Sequence, residues 1–248
     1  MQAFWDWFRW LNQTTGINLT IFYDAFDRQR FAGGFVTTLK LSMICIILSV
    51  VIGVIGAWLQ GSRLRLTRHV VYWYIQFFRN TPPLVQLYFF YFGIGSVLRS
   101  SMGAGSGGDP LVSSMTWAVI SLSFFAGAFN VEIFRSGVEA VPRTTMEAAE
   151  SLGFSRLRTY LLIVLPLAFR ISLPALNNNL VNLVKTTTLA YAIAVPEMLY
   201  VSSQIWSDEL NVPVMMNVLL VCYFVLVGVL VYGMNRWERA IKVPGFGQ

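Results

Sequence analysis

Four apolar runs, each long enough to cross a bilayer, dominate this chain and place it outside the water-soluble globules. A spanning helix needs about 20 mostly apolar residues. The runs are Gly33–Leu59, with Lys40 near its start; Val70–Leu98, interrupted by Arg79-Asn80-Thr81-Pro82-Pro83; Leu111–Phe134; and Val212–Met234. A weaker region, Leu161–Ile205, is apolar but carries Pro166, Arg170, Pro174, Asn177-Asn178-Asn179 and Lys185. One span from about Leu167 to Thr188 fits it, with a shorter helical piece following to Ile205. Five spans result. Composition agrees: 56% of residues are hydrophobic and 12% charged, against about 45–50% and 25% in soluble domains. The expected class is an all-α integral membrane protein with five transmembrane helices.

The 248 residues divide by composition. Residues 1–31 are rich in Trp and Phe but carry Asp6, Arg9, Asn12 and Gln13, which suits an interfacial helix lying on the membrane. Residues 32–235 hold the spans, and 236–248 form a basic tail. Met102–Asp109 is a Gly-rich loop between the second and third spans. Basic residues set the orientation. Arg63, Arg65 and Arg68, then Arg135, Arg143, Arg156, Arg158 and Arg170, then Arg236, Arg239 and Lys242 fall on one side, eleven of the eighteen Lys and Arg residues. The positive-inside rule puts that side in the cytoplasm, with the N-terminus outside and the C-terminus inside. The net charge of +6 is then a property of cytoplasmic loops, and no nucleic-acid partner is expected. Ser49, Gly53 and Ala57, like Ser123 and Gly127, recur every four residues. Such strips let helices approach closely in lipid.

The segment at 139–166 carries the strongest local signal. Thr144-x-x-Glu147 after Val141-Pro142 reads as a capping box opening a short helix, and Gly153 suits its end. Between them Ala148 and Ala149 make a small, flat patch of a kind that fits a groove on another protein. Glu147-Ala148-Ala149, Gly153, Ile163 and Leu165-Pro166 stand at the spacing of the cytoplasmic signature of ABC importer permeases, which the segment resembles. Phe77-Phe-Arg-Asn-Thr-Pro-Pro-Leu-Val-Gln-Leu-Tyr-Phe-Phe-Tyr-Phe-Gly93, Glu132-Ile-Phe-Arg-Ser-Gly137 and Leu183-Val-Lys-Thr-Thr-Thr-Leu189 are similar to stretches of the polar amino acid (histidine/glutamine/glutamate) permeases. Asn80, Pro83 and Thr186 depart from that pattern. The resemblance covers about Phe35 to Met234. It implies a type I importer permease of the bacterial inner membrane whose 139–166 segment docks on ABC ATPase subunits. It implies as further partners a second permease copy or sister permease, an extracytoplasmic substrate-binding protein and an amino acid substrate. The tail Arg236–Gly245 looks like glutamate/aspartate permease tails, a lean toward acidic or amide substrates.

Ionisable groups within spans usually face a cavity or a partner. Arg79, Glu132, Lys185 and Glu197 are such groups here. Asn178, Asn182 and Lys185 follow i, i+4, i+7 spacing and share a helical face; that face serves equally as a polar path for a zwitterion, next to Thr186, or as interhelical glue. Glu132 and Arg135 stand at ion-pair spacing. Asn80 or Thr81 can cap a new helix with Pro82 at its first position, making a broken-helix site, or Arg79 can anchor at the surface. No Gly-Lys-Ser/Thr phosphate loop exists, since Lys40, Lys185 and Lys242 follow Leu, Val and Ile; no nucleotide, cofactor or metal site is expected, and the chain reads as a translocation subunit rather than an enzyme. The alternative, an ion-coupled secondary amino acid carrier, calls for carboxylates deep in the spans and two related halves, of which Glu132 is a weak instance and no repeat is visible.

Overall fold

A computed structural model describes residues 2–101 and 112–241. The expected loop at 102–109 and the end of the tail lie outside the described residues. Among the described residues the chain is helical without strands. The elements are α1 (Gln2–Thr15), α2 (Thr20–Tyr23), α3 (Ala25–Gln60), α4 (Arg65–Asn80), α5 (Pro83–Tyr88), a π-helical turn (Phe89–Ile94), α6 (Gly95–Ser101), α7 (Ser114–Glu139), α8 (Arg143–Ser151), α9 (Arg156–Thr159), a second π-turn (Tyr160–Val164), α10 (Leu165–Thr186), a 3-10 helix (Thr187–Ile193), α11 (Met198–Glu209) and α12 (Val212–Ile241). Four helical stretches are long and apolar enough to cross a membrane: Ala25–Gln60, Ser114–Glu139, Arg156–Ile193 and Val212–Ile241. Pro83–Leu98 is a shorter apolar stretch; at about 1.5 Å per residue it reaches about 24 Å. These are the helices of an all-α membrane protein.

Three boundaries differ from expectation. The interrupted second run is two helices. Its new helix opens at Pro83, not Pro82, and Thr81 does not cap it, because the Thr81 hydroxyl donates back to the Phe77 carbonyl at 2.7 Å. The fourth span is one stretch from Arg156 to Ile193. A proline lacks the N–H for the i−4 carbonyl, but Pro166 follows directly on a π-turn, where the helical ladder has already changed register. Finally, α12 carries Arg236 and Arg239 on its last turns rather than on a separate tail.

The chain divides into two compact units. The first comprises Met1–Ile44, Leu84–Ser121 and Val184–Gly228. In it Ile21, Val201, Ile205 and Met215 form a core, flanked by Phe22, Phe31, Trp206 and Val218. Gly34 allows α3 to meet α11 closely: a Cβ there would stand 3.0 Å from Val201. The Thr38 hydroxyl beside it accepts the Met198 N–H at 3.0 Å. On α1, Trp7 and Trp10 are exposed while Phe8 is buried and stacks on Phe22.

The second unit comprises Cys45–Pro83, Leu122–Leu183 and Val229–Gln248. Here the small-residue strips do the packing expected of them. A Cβ on Gly53 would lie 2.5 Å from that of Asn130, and one on Gly127 would lie 2.7 Å from Ile52. Gly56 is as tight against Val131. Without a hydrophobic drive between helices in lipid, such contact supplies the association by dispersion. Large apolar side chains elsewhere point outward, among them Ile47, Val51 and Trp58 on α3 and Leu220, Phe224 and Val229 on α12, as lipid-facing surfaces require.

Candidate functional site

Helix α8 opens without the expected capping box. Pro142 is its N-cap, with φ −59° and ψ 137°, and no side chain caps it. A capping residue must itself be non-helical, and Thr144 already lies in the second helical position. The start is fixed instead by Pro142, whose carbonyl accepts the Thr145 N–H at 3.1 Å. The end is built as a Schellman motif. Gly153 adopts φ +84°, its N–H reaches the Glu150 carbonyl at 3.0 Å, and the Phe154 N–H reaches Ala149 at 3.1 Å. Ser155 then caps α9 by accepting the Arg158 N–H.

The alanine patch is split between two faces. Glu147 and Ala148 are exposed, whereas Ala149 is 3% exposed within this chain alone. Neighbours on a helix stand about 100° apart, so one faces outward and the next inward. Met146, on the same inward side as Ala149, packs against Val141, Val164 and Ala168. What α8 presents outward is Glu147, Ala148 and Glu150. Of the downstream signature, Ile163 is half-buried in the second π-turn, and Leu165 and Pro166 are exposed on its far side.

The polar candidates sort into different tasks. Glu132 does not pair with Arg135. It pairs with Arg79, 53 residues away, and the Arg79 guanidinium also lies 5.3 Å from the centre of the Phe129 ring. Arg135 pairs with Glu139 at 2.9 Å. Asn178, Asn182 and Lys185 are all exposed on α10, as their spacing requires, and Thr186, which closes α10, is half-buried. The glue role falls to a neighbour. The Asn179 amide donates to the Ala126 carbonyl at 3.1 Å and to Asn130 Oδ1 at 2.8 Å, and the Asn130 amide donates to Ser49 at 3.2 Å. Sequence reasoning missed Asn130, a buried amide in the middle of an apolar run. Such a residue has to find partners on other helices, and that was the available signal. Glu197, fully buried, is a structural cap: its carboxylate accepts the Leu199 and Tyr200 N–H groups at 2.9 and 2.8 Å and the Tyr223 hydroxyl at 3.1 Å. These donors are what a buried carboxylate needs.

The family model for the binding-protein-dependent transport system inner membrane component matches residues 49–240. The chain is 34% identical over 215 residues to the arginine transport system permease protein ArgU of Corynebacterium glutamicum, covering 85% of this chain and 67% of that one. It is 30% identical to the histidine/lysine/arginine/ornithine permease HisM of Escherichia coli, covering 86% and 89%. It is 29% identical to the probable glutamine permease GlnM of Bacillus subtilis, covering 91% and 99%. Among solved structures, an amino acid ABC transporter superposes with a TM-score of 0.76 at 26% identity, over 86% of this chain and 94% of that one.

Proposed function

The chain belongs to the family of inner-membrane components of binding-protein-dependent transport systems, and from that premise we propose how its parts serve amino acid import. It is a membrane-spanning permease subunit of an ATP-driven importer of amino acids, and the ATP is hydrolysed on a separate subunit. Its partners are ATPase subunits and a substrate-binding protein. The coupling element is α8. The observation that carries this is the fixed Schellman stop at Gly153 on a helix presenting Glu147 and Ala148 outward. A rigid, small-faced helix transmits a push from the ATPase to α7 and α9, which it joins. Ala149, Ile163, Leu165 and Pro166 serve by holding α8 in place and leading into the fourth span.

The remaining parts of the reading follow from the charge pattern and the exposed polar face. The basic side is cytoplasmic, the N-terminus lies outside, and α1 lies on the membrane surface through Trp7 and Trp10. Asn178, Asn182 and Lys185, with Thr186, face the translocation path, which a second permease copy or a sister permease completes. Lysine there meets the substrate carboxylate. Glu132, Arg79 and Thr81 drop out of the path: the first two satisfy each other, and the third bonds its own helix. Polar amino acids are the substrate class. Within it the lean toward glutamate, aspartate or their amides rests on the tail resemblance and on Lys185; the relatives named for arginine and histidine stand for the cationic side.

Two measurements test this. A cysteine at Ala148 should crosslink to the ATPase in the assembled complex. Intact uptake with no crosslink from that position would remove α8 from the coupling role. Uptake of labelled glutamine competed by glutamate and not by arginine supports the acidic-amide lean, and the reverse order replaces it with a cationic one.

A further inference from the structure

We propose that the second unit holds a binding site for one anionic phospholipid, in a groove on the membrane side of the coupling segment. The groove encloses about 1110 Å³, above the roughly 300–1,000 Å³ of ordinary small-molecule pockets. Its walls are apolar and aromatic: Trp58, Tyr72, Leu161, Leu165 and Phe169 line it. Two of these stand at an open edge, Trp58 being 74% and Leu161 50% exposed. A water-soluble metabolite gains nothing from such an edge, whereas an acyl chain enters through it.

Charge at one end supplies the selectivity. Arg68, His69 and Arg135 line the groove, and Glu139 is the only carboxylate in the lining. Glu139 answers Arg135 at 2.9 Å, so the lining keeps a net positive charge. These groups lie at the ends of the long helices: α3 stops at Gln60, α4 starts at Arg65 and α7 stops at Glu139. That is where a bilayer's phosphates lie, and basic pockets between spanning helices are suited to anionic headgroups.

The depth matches as well. The lining runs along one helical stretch from Leu157, 67% exposed, to Ser172, 3% exposed. Fifteen residues of helix rise about 22 Å. One leaflet with its headgroup layer is half of about 40–45 Å. The groove is therefore as deep as one lipid is long, with its cations at the headgroup end. An occupant here would also brace the short elements on either side of α8, since Val138 and Glu139 precede it and Leu157 follows it.

Trp58 provides the probe. The full-length chain is placed in phosphatidylcholine nanodiscs carrying a small fraction of brominated phosphatidylglycerol or brominated phosphatidylcholine, and its tryptophan fluorescence is compared with that of Trp58→Phe. The part of the quenching that disappears in Trp58→Phe belongs to the groove. With one uncompensated arginine, the groove should select the anionic lipid about fivefold over the zwitterionic one. Arg68→Gln, an exposed change that leaves the spans untouched, should bring the two lipids to parity. Equal quenching by both lipids in the wild type would overturn the proposal. So would a preference that survives in both Arg68→Gln and Arg68→Gln/Arg135→Gln. Relief of quenching by millimolar glycerol phosphate would assign the site to a free phosphate instead. Loss of quenching when the ATPase is added, or when the chain self-associates, would make the groove a protein contact.

Discussion

Replacing Gly153 isolates the conformational part of the coupling helix from its contacts. No heavy atom lies within 4 Å of a Cβ built there, and φ is +84°, so packing contributes nothing and backbone strain contributes all of the cost. An L-residue in the left-handed region loses about 1–2 kcal/mol. Alanine recovers about 0.4–1 of this by restricting the unfolded chain. The net for Gly153→Ala is therefore about 1 kcal/mol, roughly a fivefold loss in the population with α8 correctly ended, and ATPase affinity falls by the same factor. Asn tolerates the left-handed region and should stay near wild type. Val is a strained outlier there and should fall furthest. The assay is titration of the purified ATPase against the chain in nanodiscs, giving a Kd for each variant. The expected order is Gly, Asn, Ala, Val, from tight to weak. A Val variant that binds like wild type would refute the Schellman stop as a determinant of docking. A loss beyond about a hundredfold for Ala would show that the glycine touches the partner, not that it shapes the turn.

Three further outcomes follow from the same geometry. Ala149→Phe should lower the melting temperature and the membrane yield, because that side chain is buried in this chain and overpacking costs about 1–3 kcal/mol; Ala148→Phe should leave both unchanged while weakening ATPase binding in the nanodisc titration. Asn130→Leu removes the bonds to Ser49 and Asn179, each worth about 0.6 and at most about 1.7 kcal/mol in a membrane, and should destabilise the purified chain on thermal denaturation by about the sum. Lys185→Met should reduce uptake without loss of the assembled complex by size-exclusion chromatography; loss of assembly would make the exposed face of α10 a packing surface.

The signature of α8 was legible because its elements are local: a proline before the helix, a glycine after it and a fixed spacing to Leu165-Pro166. The strips at Gly53 and Gly127 were legible because a Cβ would collide there, and only glycine avoids that. What failed did so for physical reasons. Pairing of Arg79 with Glu132 is a contact across 53 residues, which a search for partners three or four apart cannot find, so the nearby Arg135 took its place. The inward turn of Ala149 depends on which side the helix packs, and both alanines look alike in sequence. Pro166 reads as a helix end unless the π-turn before it is known. The polar face of α10 was legible as a face, but its neighbour Asn179, not Asn178 or Asn182, makes the printed bonds to α7.

The central claim is that this chain moves amino acids only when a separate subunit spends ATP. The direct test is uptake of a labelled amino acid into proteoliposomes holding the full complex, with the substrate-binding protein supplied outside and ATP enclosed within. Uptake should need ATP, the ATPase and the binding protein together, and should persist when proton and sodium gradients are collapsed. Uptake driven by an ion gradient in liposomes containing this chain without the ATPase would contradict the account and restore the secondary carrier.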